Sequence, residues 1–171
     1  MIKRIVLGAV LVALASIGSA AAGPLQAGIA AFNRHDYTRA AQILLPLAAA
    51  GDPRAQTYMG FLYANGRGVV QNRIVASNWY RSAAEQGDPT AQYMLGLMYD
   101  KGHGVPQDYV IAYTWLNLAV AHATPRERQY WLRIRDAVSS KLSLRQLTEA
   151  QRRAVEWQAG RPVIYSHWPY E

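Results

Sequence analysis

Residues 51–86 read GDPRAQTYMGFLYANGRGVVQNRIVASNWYRSAAEQ, and residues 87–122 read GDPTAQYMLGLMYDKGHGVPQDYVIAYTWLNLAVAH. Laid over each other without a gap, they agree at 14 of 36 positions. An ungapped match of that length is an internal duplication. A period of this size belongs to stacked helical hairpins.

The shared residues assign the elements of one unit. Asp52 and Asp88 stand where a helix begins, their carboxylates able to accept from the free N–H groups of the first turn. Pro53 and Pro89 follow at the first helical position, where a missing N–H costs nothing. Ala55, Met59, Leu62 and Tyr63 recur as Ala91, Leu95, Met98 and Tyr99, a spacing that paints one helix face. Gly60 and Gly96 lie mid-helix, where glycine costs about 1 kcal/mol against alanine and implies close approach of a partner helix. Gly66-x-Gly68 and Gly102-x-Gly104 end that helix through positive-φ positions. Asn72 and Asp108 then cap a second helix, whose inner face carries Ala76, Trp79 and Ala83, or Ala112, Trp115 and Ala119.

The same ruler extends outward. Asp36, Ala40, Ile43 and Leu47 lie 36 residues before Asn72, Ala76, Trp79 and Ala83, which predicts a partial first hairpin over 23–50. Its opening helix is short, about Leu25 to Asn33, and Pro46 should kink the second. Downstream, Thr124 and Glu127 form a capping box, after which the register fails. Trp131, Ile134 and Val138 line one further helix. Ser143 with Gln146 caps another, bearing Leu147, Ala150, Ala154 and Trp157 and stopped by Gly160. These predict a C-terminal capping hairpin over 123–160, since terminal units of a solenoid are atypical. Four hairpins result.

The runs A-x-x-x-M/L-G-x-x-Y-x-x-G-x-G-V and A-x-x-W-x-x-x-A resemble the Sel-one-like repeat (SLR), a subfamily of the tetratricopeptide-like solenoids. Full matches cover 51–86 and 87–122. The flanks NRHDYTRAAQILLPLAAAGD and KLSLRQLTEAQRRAVEW are similar to those of secreted bacterial SLR proteins. The resemblance implies an all-α, right-handed α-solenoid of about eight helices that serves as a protein-interaction adaptor. One branch of the family, linked to penicillin binding and hydrolysis, carries a cysteine pair in each repeat; this chain has no cysteine.

Composition agrees with a folded chain. Of 171 residues, 51% are apolar and 17% charged, which excludes a disordered polymer. Without cysteine there is no disulfide scaffold, thiolate metal cluster or thiol nucleophile. Residues 1–22 have the order of a secretory signal peptide: Lys3 and Arg4, an apolar run from Ile5 to Ile17, then small residues. Cleavage is expected after Ala22, with Ala21 the second choice. The competing reading is an uncleaved anchor, which needs about 20 apolar residues and reaches them only by counting Gly8, Ser16, Gly18 and Ser19. Either route exports the body, and the expected location is periplasmic or secreted.

Chemistry is sparse. GRGVVQ and GHGVPQ lack the preceding strand and third glycine of a phosphate loop. His35, His103, His122 and His167 fall at no metal-ligand spacing, and no G-x-S-x-G or S-x-x-K occurs. No catalytic residue, metal or cofactor is expected. Tyr63, Trp79, Tyr99 and Trp115 share the register of core alanines and read as packing.

Binding candidates are positions where the repeats differ. On the first helices these are Arg54, Thr57, Phe61 and Ala64, matched by Thr90, Tyr93, Leu97 and Asp100. First helices line the concave side of such stacks, so Arg54, Thr57, Phe61, Thr90, Tyr93 and Leu97 should form one groove, with exposed Phe61, Tyr93 and Leu97 as apolar anchors. The expected occupant is an envelope protein or peptide; the rival reading is an envelope enzyme acting on peptidoglycan or a β-lactam. Of the chain's net charge of +7, +5 resides in 123–161. Arg126, Arg133, Arg145, Arg152 and Arg153 are the core of that basic surface. It would suit an acidic protein or anionic lipid; nucleic acid is not expected, because no stacking aromatics are interleaved. Residues 161–171, RPVIYSHWPYE, form a tail too aromatic for a simple flexible end, suited to folding back or to extended recognition.

Overall fold

The computed structural model describes residues 23–158 and 160. Residues 1–22, expected as a signal peptide, and the tail 161–171 lie outside the described residues. The chain winds through eight helices, and no strand occurs among the described residues. They are α1 (Pro24–Asn33), α2 (Tyr37–Ala49), α3 (Pro53–Asn65), α4 (Arg73–Glu85), α5 (Pro89–Lys101), α6 (Tyr109–Ala121), α7 (Pro125–Ser139) and α8 (Leu144–Gln158). Each packs on the next from α1 to α7, so the molecule is an all-α helical solenoid.

The caps form where the sequence places them. Asp52 accepts from Ala55 N–H at 2.8 Å, Asp88 from Ala91 at 2.7 Å and Asp108 from Ile111 at 2.9 Å. Asn72 takes both Ile74 and Val75 N–H at 3.0 Å. α2 continues through Pro46 to Ala49. Mid-helix glycines set the distance between the helices of a unit. A Cβ at Gly60 would stand 2.7 Å from the Tyr80 ring, and one at Gly96 2.7 Å from Leu116 Cγ. Gly28 does the same against Leu44. It is therefore the counterpart of Gly60 in the first unit, four residues out of the 36-residue frame. The α1–α2 turn is short by that amount: it runs over 34–36, where the α3–α4 loop runs over 66–72. His35 turns this corner at φ 64°, its Nδ1 2.8 Å from the Tyr37 hydroxyl.

Two contacts tie each of the two repeat units to the one before. Gly68 lies against the Tyr37 carbonyl and Thr38 nitrogen, the first turn of α2, and Gly104 against Arg73 and Ile74, the first turn of α4. At the other end, buried Gln56 donates to Ala48 O and buried Gln92 to Ala84 O, both at 3.1 Å. These add a second bond to carbonyls in the last turns of α2 and α4 that already accept from Gly51 and Gly87 N–H at 3.0 Å.

The C-terminal unit departs from the expected hairpin. α7 and α8 scarcely meet; each packs on α6 instead. The Thr114 hydroxyl, which donates to Val110 O at 2.8 Å, lies 3.3 Å from Ala150 O, and the Trp115 and Trp157 rings meet edge to face at 6.2 Å. A strongly one-sided α8, with Ala150 and Ala154 buried, found a better apolar surface on α6 than on arginine-rich α7. The turn between α7 and α8 is fixed by Lys141, which bonds the buried Asp100 carboxylate and lies 4.8 Å from the Tyr109 ring centroid. Lys101 holds the second Asp100 oxygen at 2.9 Å. Burial alone would raise the Asp100 pKa, but the hydrogen bonds from Lys141 and Lys101 outweigh it and hold the carboxyl below its usual value.

Two stability measurements follow. Gly104→Ala should cost more than about 2 kcal/mol in urea unfolding, because its positive φ is joined by a collision with backbone. Gly51→Ala, with positive φ but open space, should lose only about 1 kcal/mol. Asp100→Asn should cost about 1–3 kcal/mol at neutral pH. A depressed native pKa stabilises above the ordinary carboxylate range and loses that stabilisation as pH falls through it. The gap between Asp100→Asn and the parent should therefore close as pH drops below 3.8.

Candidate functional site

A cavity of about 380 Å³ opens across α1, α3 and α5. Its walls are Phe32 from α1, Tyr58 and Phe61 from α3, and Met94 from α5; Arg54, Thr57, Asp88 and Thr90 edge it. Phe32 organises the aromatic wall, meeting Tyr58 at 4.8 Å and Phe61 at 5.2 Å, both edge to face. Tyr80 of α4 reaches the floor across the face of Gly60. It is 1% exposed, and its hydroxyl has no hydrogen-bond partner. Burial pushes that phenol well above its usual pKa, so it stays a neutral O–H donor. The opening lies over the seam between two apolar clusters, one built on α1–α3 and the other on α4–α8.

Of the six groove residues expected from repeat differences, Arg54, Thr57, Phe61 and Thr90 line this cavity. Arg54 and Thr90 are exposed; Phe61 is half-buried. Thr57 is half-buried too, its hydroxyl donating to Pro53 O at 2.9 Å. Leu97 is half-buried on the larger cluster, away from the cavity. Tyr93 is not an exposed anchor: it is 7% exposed and stacks on Trp131 of α7 at 4.8 Å and 8°. Tyr130 adds a third ring at 6.3 Å. Burial, then a hydrogen bond to Tyr130, raises the Tyr93 phenol.

Repeat geometry explains the split. Thr57 and Tyr93 occupy the same position in successive units, each at a gap between neighbouring first helices. Threonine leaves the α3–α5 gap open, whereas tyrosine with Trp131 fills the α5–α7 gap. Phe32, Tyr58, Met94 and Tyr80 escaped the sequence reading. Phe32 lies before the duplicated segment, and Tyr58 and Met94 differ between repeats but sit one position from those chosen. Asp100, also among the differing positions, is a buried ion-pair partner. Among the expected packing aromatics, Tyr99 and Trp115 are buried, and Tyr63 and Trp79 are half-buried against the clusters.

The basic surface is divided rather than continuous. Arg126 and Arg133 lie exposed on α7, Arg133 5.8 Å from the Tyr130 ring centroid. Arg145, Arg152 and Arg153 lie on α8 beside the first turn of α6, in a cleft that also holds Asp108 and Glu149. There Arg152 binds Glu149 and Glu156, and Arg153 binds Glu149 at 2.7 Å. Hydrogen bonds from Arg152 and Arg153 bring the Glu149 pKa down to about 2. Much of the positive charge on α8 is thus answered within the helix. Among the described residues, no three His, Asp or Glu side chains gather as a metal site requires. His103 is exposed in its glycine loop, and His122 caps α6 with Nδ1 3.3 Å from Leu118 O.

Tyr93→Ala should therefore act on stability, costing about 3 kcal/mol by leaving a hole against Trp131. Phe61→Ala, half-exposed at the groove, should cost about 1 kcal/mol in the same chemical unfolding.

Comparisons place this arrangement among known proteins. The Sel1 repeat family model matches residues 53–88 and 89–122. The crystal structure of a Sel1 repeat protein from Oxalobacter formigenes is 34% identical, with a TM-score of 0.55, covering 64% of this chain and 85% of that one. A protective antigen present in uropathogenic Escherichia coli strains, displaying an SLR fold, is 26% identical with a TM-score of 0.73 over 86% of this chain. The chain spans about a third of that antigen's length, 32%. Comparison with curated protein sequences finds no match. Sel1 repeat proteins are generally scaffolds for protein–protein interaction and typically non-enzymatic. With two matched repeats, mid-helix glycines against their partner helices and glycine loops seated on the preceding unit, the chain belongs to the Sel1-like repeat family.

Proposed function

We propose that this protein is a non-enzymatic adaptor of the bacterial cell envelope that holds a protein or peptide segment in the α1–α3–α5 groove. The observation that carries the reading is the groove itself: an aromatic wall of Phe32, Tyr58 and Phe61 beside Met94, edged by Arg54, Thr57 and Thr90. A largely apolar trough with a few polar groups on its edge is the kind of surface that anchors large side chains of a partner segment. Export to the periplasm, with cleavage after Ala22, rests on the charged, apolar and small-residue order of residues 1–22. Peripheral contact with anionic lipid belongs to α7, where Arg126 and Arg133 are exposed.

The repeat supplies its own blocking variant. Thr57→Tyr places at the open gap the residue that fills the next one, so it should close the groove and leave the fold intact. With a photo-crosslinking residue at Phe61, the parent should yield one dominant protein adduct in the envelope fraction, identified by mass spectrometry. Thr57→Tyr should reduce that adduct by about tenfold or more, the loss of one well-buried anchor. An adduct unaffected by Thr57→Tyr, or capture of glycan or lipid alone, refutes the reading.

A further inference from the structure

We propose that residues 162–170 of this same chain occupy the α1–α3–α5 groove, so that a partner must displace them; this rests on the groove being the docking site. Four observations support it.

The first is where α8 delivers the chain. Because α8 lies along α6 rather than α7, its last turn reaches the α4–α5 turn, and the tip of Trp157 stands 3.8 Å from where a Gly87 Cβ would be. The next residue, Asp88, already edges the groove, and Thr90 follows. The last described turn of α8 thus ends beside the turn that carries Asp88.

The second is reach. From Gln158 to Trp168 is ten residues, about 30 Å at the rise of an extended proline-type helix. The groove crosses three helices, about 20 Å at ordinary helix spacing. The segment is long enough to cross it with a short approach.

The third is chemistry. PVIYSHWPY, residues 162–170, has two prolines, three large aromatic rings and no Asp, Glu, Lys or Arg. Proline-containing segments dock in aromatic-lined troughs because their extended form costs little entropy on binding. Such a segment makes no internal hydrogen bonds, so its carbonyls are free to accept. Tyr80, which lines the groove, also carries a buried hydroxyl without a hydrogen-bond partner.

The fourth is charge. The flanks of the segment are Arg161 and Glu171. The groove presents Asp88 at the end where α8 arrives and Arg54 further on, on α3. The order is complementary for a chain running from α5 toward α1.

Met94 provides the readout, since it lines the groove while Met59 and Met98 are buried elsewhere. In the full chain labelled with ¹³C-methyl methionine, the Met94 signal should carry a ring-current shift. That shift should be lost in the double variant Trp168→Ala, Tyr170→Ala, with Met59 and Met98 unmoved. Added peptide RPVIYSHWPYE should restore it in the variant. The parent should resist the same peptide by about tenfold or more, because a tethered segment has a millimolar effective concentration.

An unchanged Met94 signal in the variant overturns the proposal. A Met94 shift that grows with protein concentration also overturns it, assigning the occupant to a second copy. The two readings fail separately. If Met94 ignores the tail while Thr57→Tyr still abolishes envelope capture, only self-occupancy falls. If capture survives Thr57→Tyr, the docking reading falls whatever Met94 does.

Discussion

Each of the two repeat units of this solenoid is seated on its predecessor by backbone pressed against backbone. Gly68 rests on the first turn of α2 and Gly104 on the first turn of α4, with no room for a Cβ at either place. Because these contacts involve no side chain, they tolerate no adjustment: the loop sits down fully or the units separate. The amide of Gln56 or Gln92 then secures the opposite end of the same helix. With both ends pinned, the angle between units is set before any apolar side chain is chosen. What lies between first helices becomes a question of side-chain volume alone. That is why one position can be a cavity in one unit and packed core in the next.

The duplicated segment made most of the fold legible. Capping aspartates, first-turn prolines and glycine pairs act within a few residues of themselves, so their roles survive without tertiary context. Where the chain left that frame, local signals still found the helices but not their neighbours. Ser143, Gln146 and the apolar stripe of α8 announce a helix with one buried face; nothing in them says that the face meets α6 rather than α7. The first unit was obscured differently. Losing four residues from its turn moved Gly28 out of register with Gly60, although both serve the same close approach.

The site was legible to the extent that exposure could be inferred from variation. Arg54, Thr57, Phe61 and Thr90 differ between units and do reach the groove. Tyr93 differs too, but as half of a matched change with Trp131, which lies outside the repeat. A residue's difference from its counterpart records a change of surroundings, and a new neighbour is as good a cause as a ligand. Tyr80 was invisible for the opposite reason: a buried helical tyrosine looks like core, and only its unpartnered hydroxyl sets it apart.

The placement of α8 also bears on how such a chain can lengthen in evolution. In the regular units the second helices leave one another alone, and Asn78 of α4, the counterpart of Thr114, stays in water. On α6 that same face is covered by α8, through Thr114 and Trp115. A unit added after residue 122 keeps α8 seated only if its own second helix repeats the face that α6 offers. A copy inserted between the two repeats would disturb neither terminus. The terminal helices therefore travel with the units they seal.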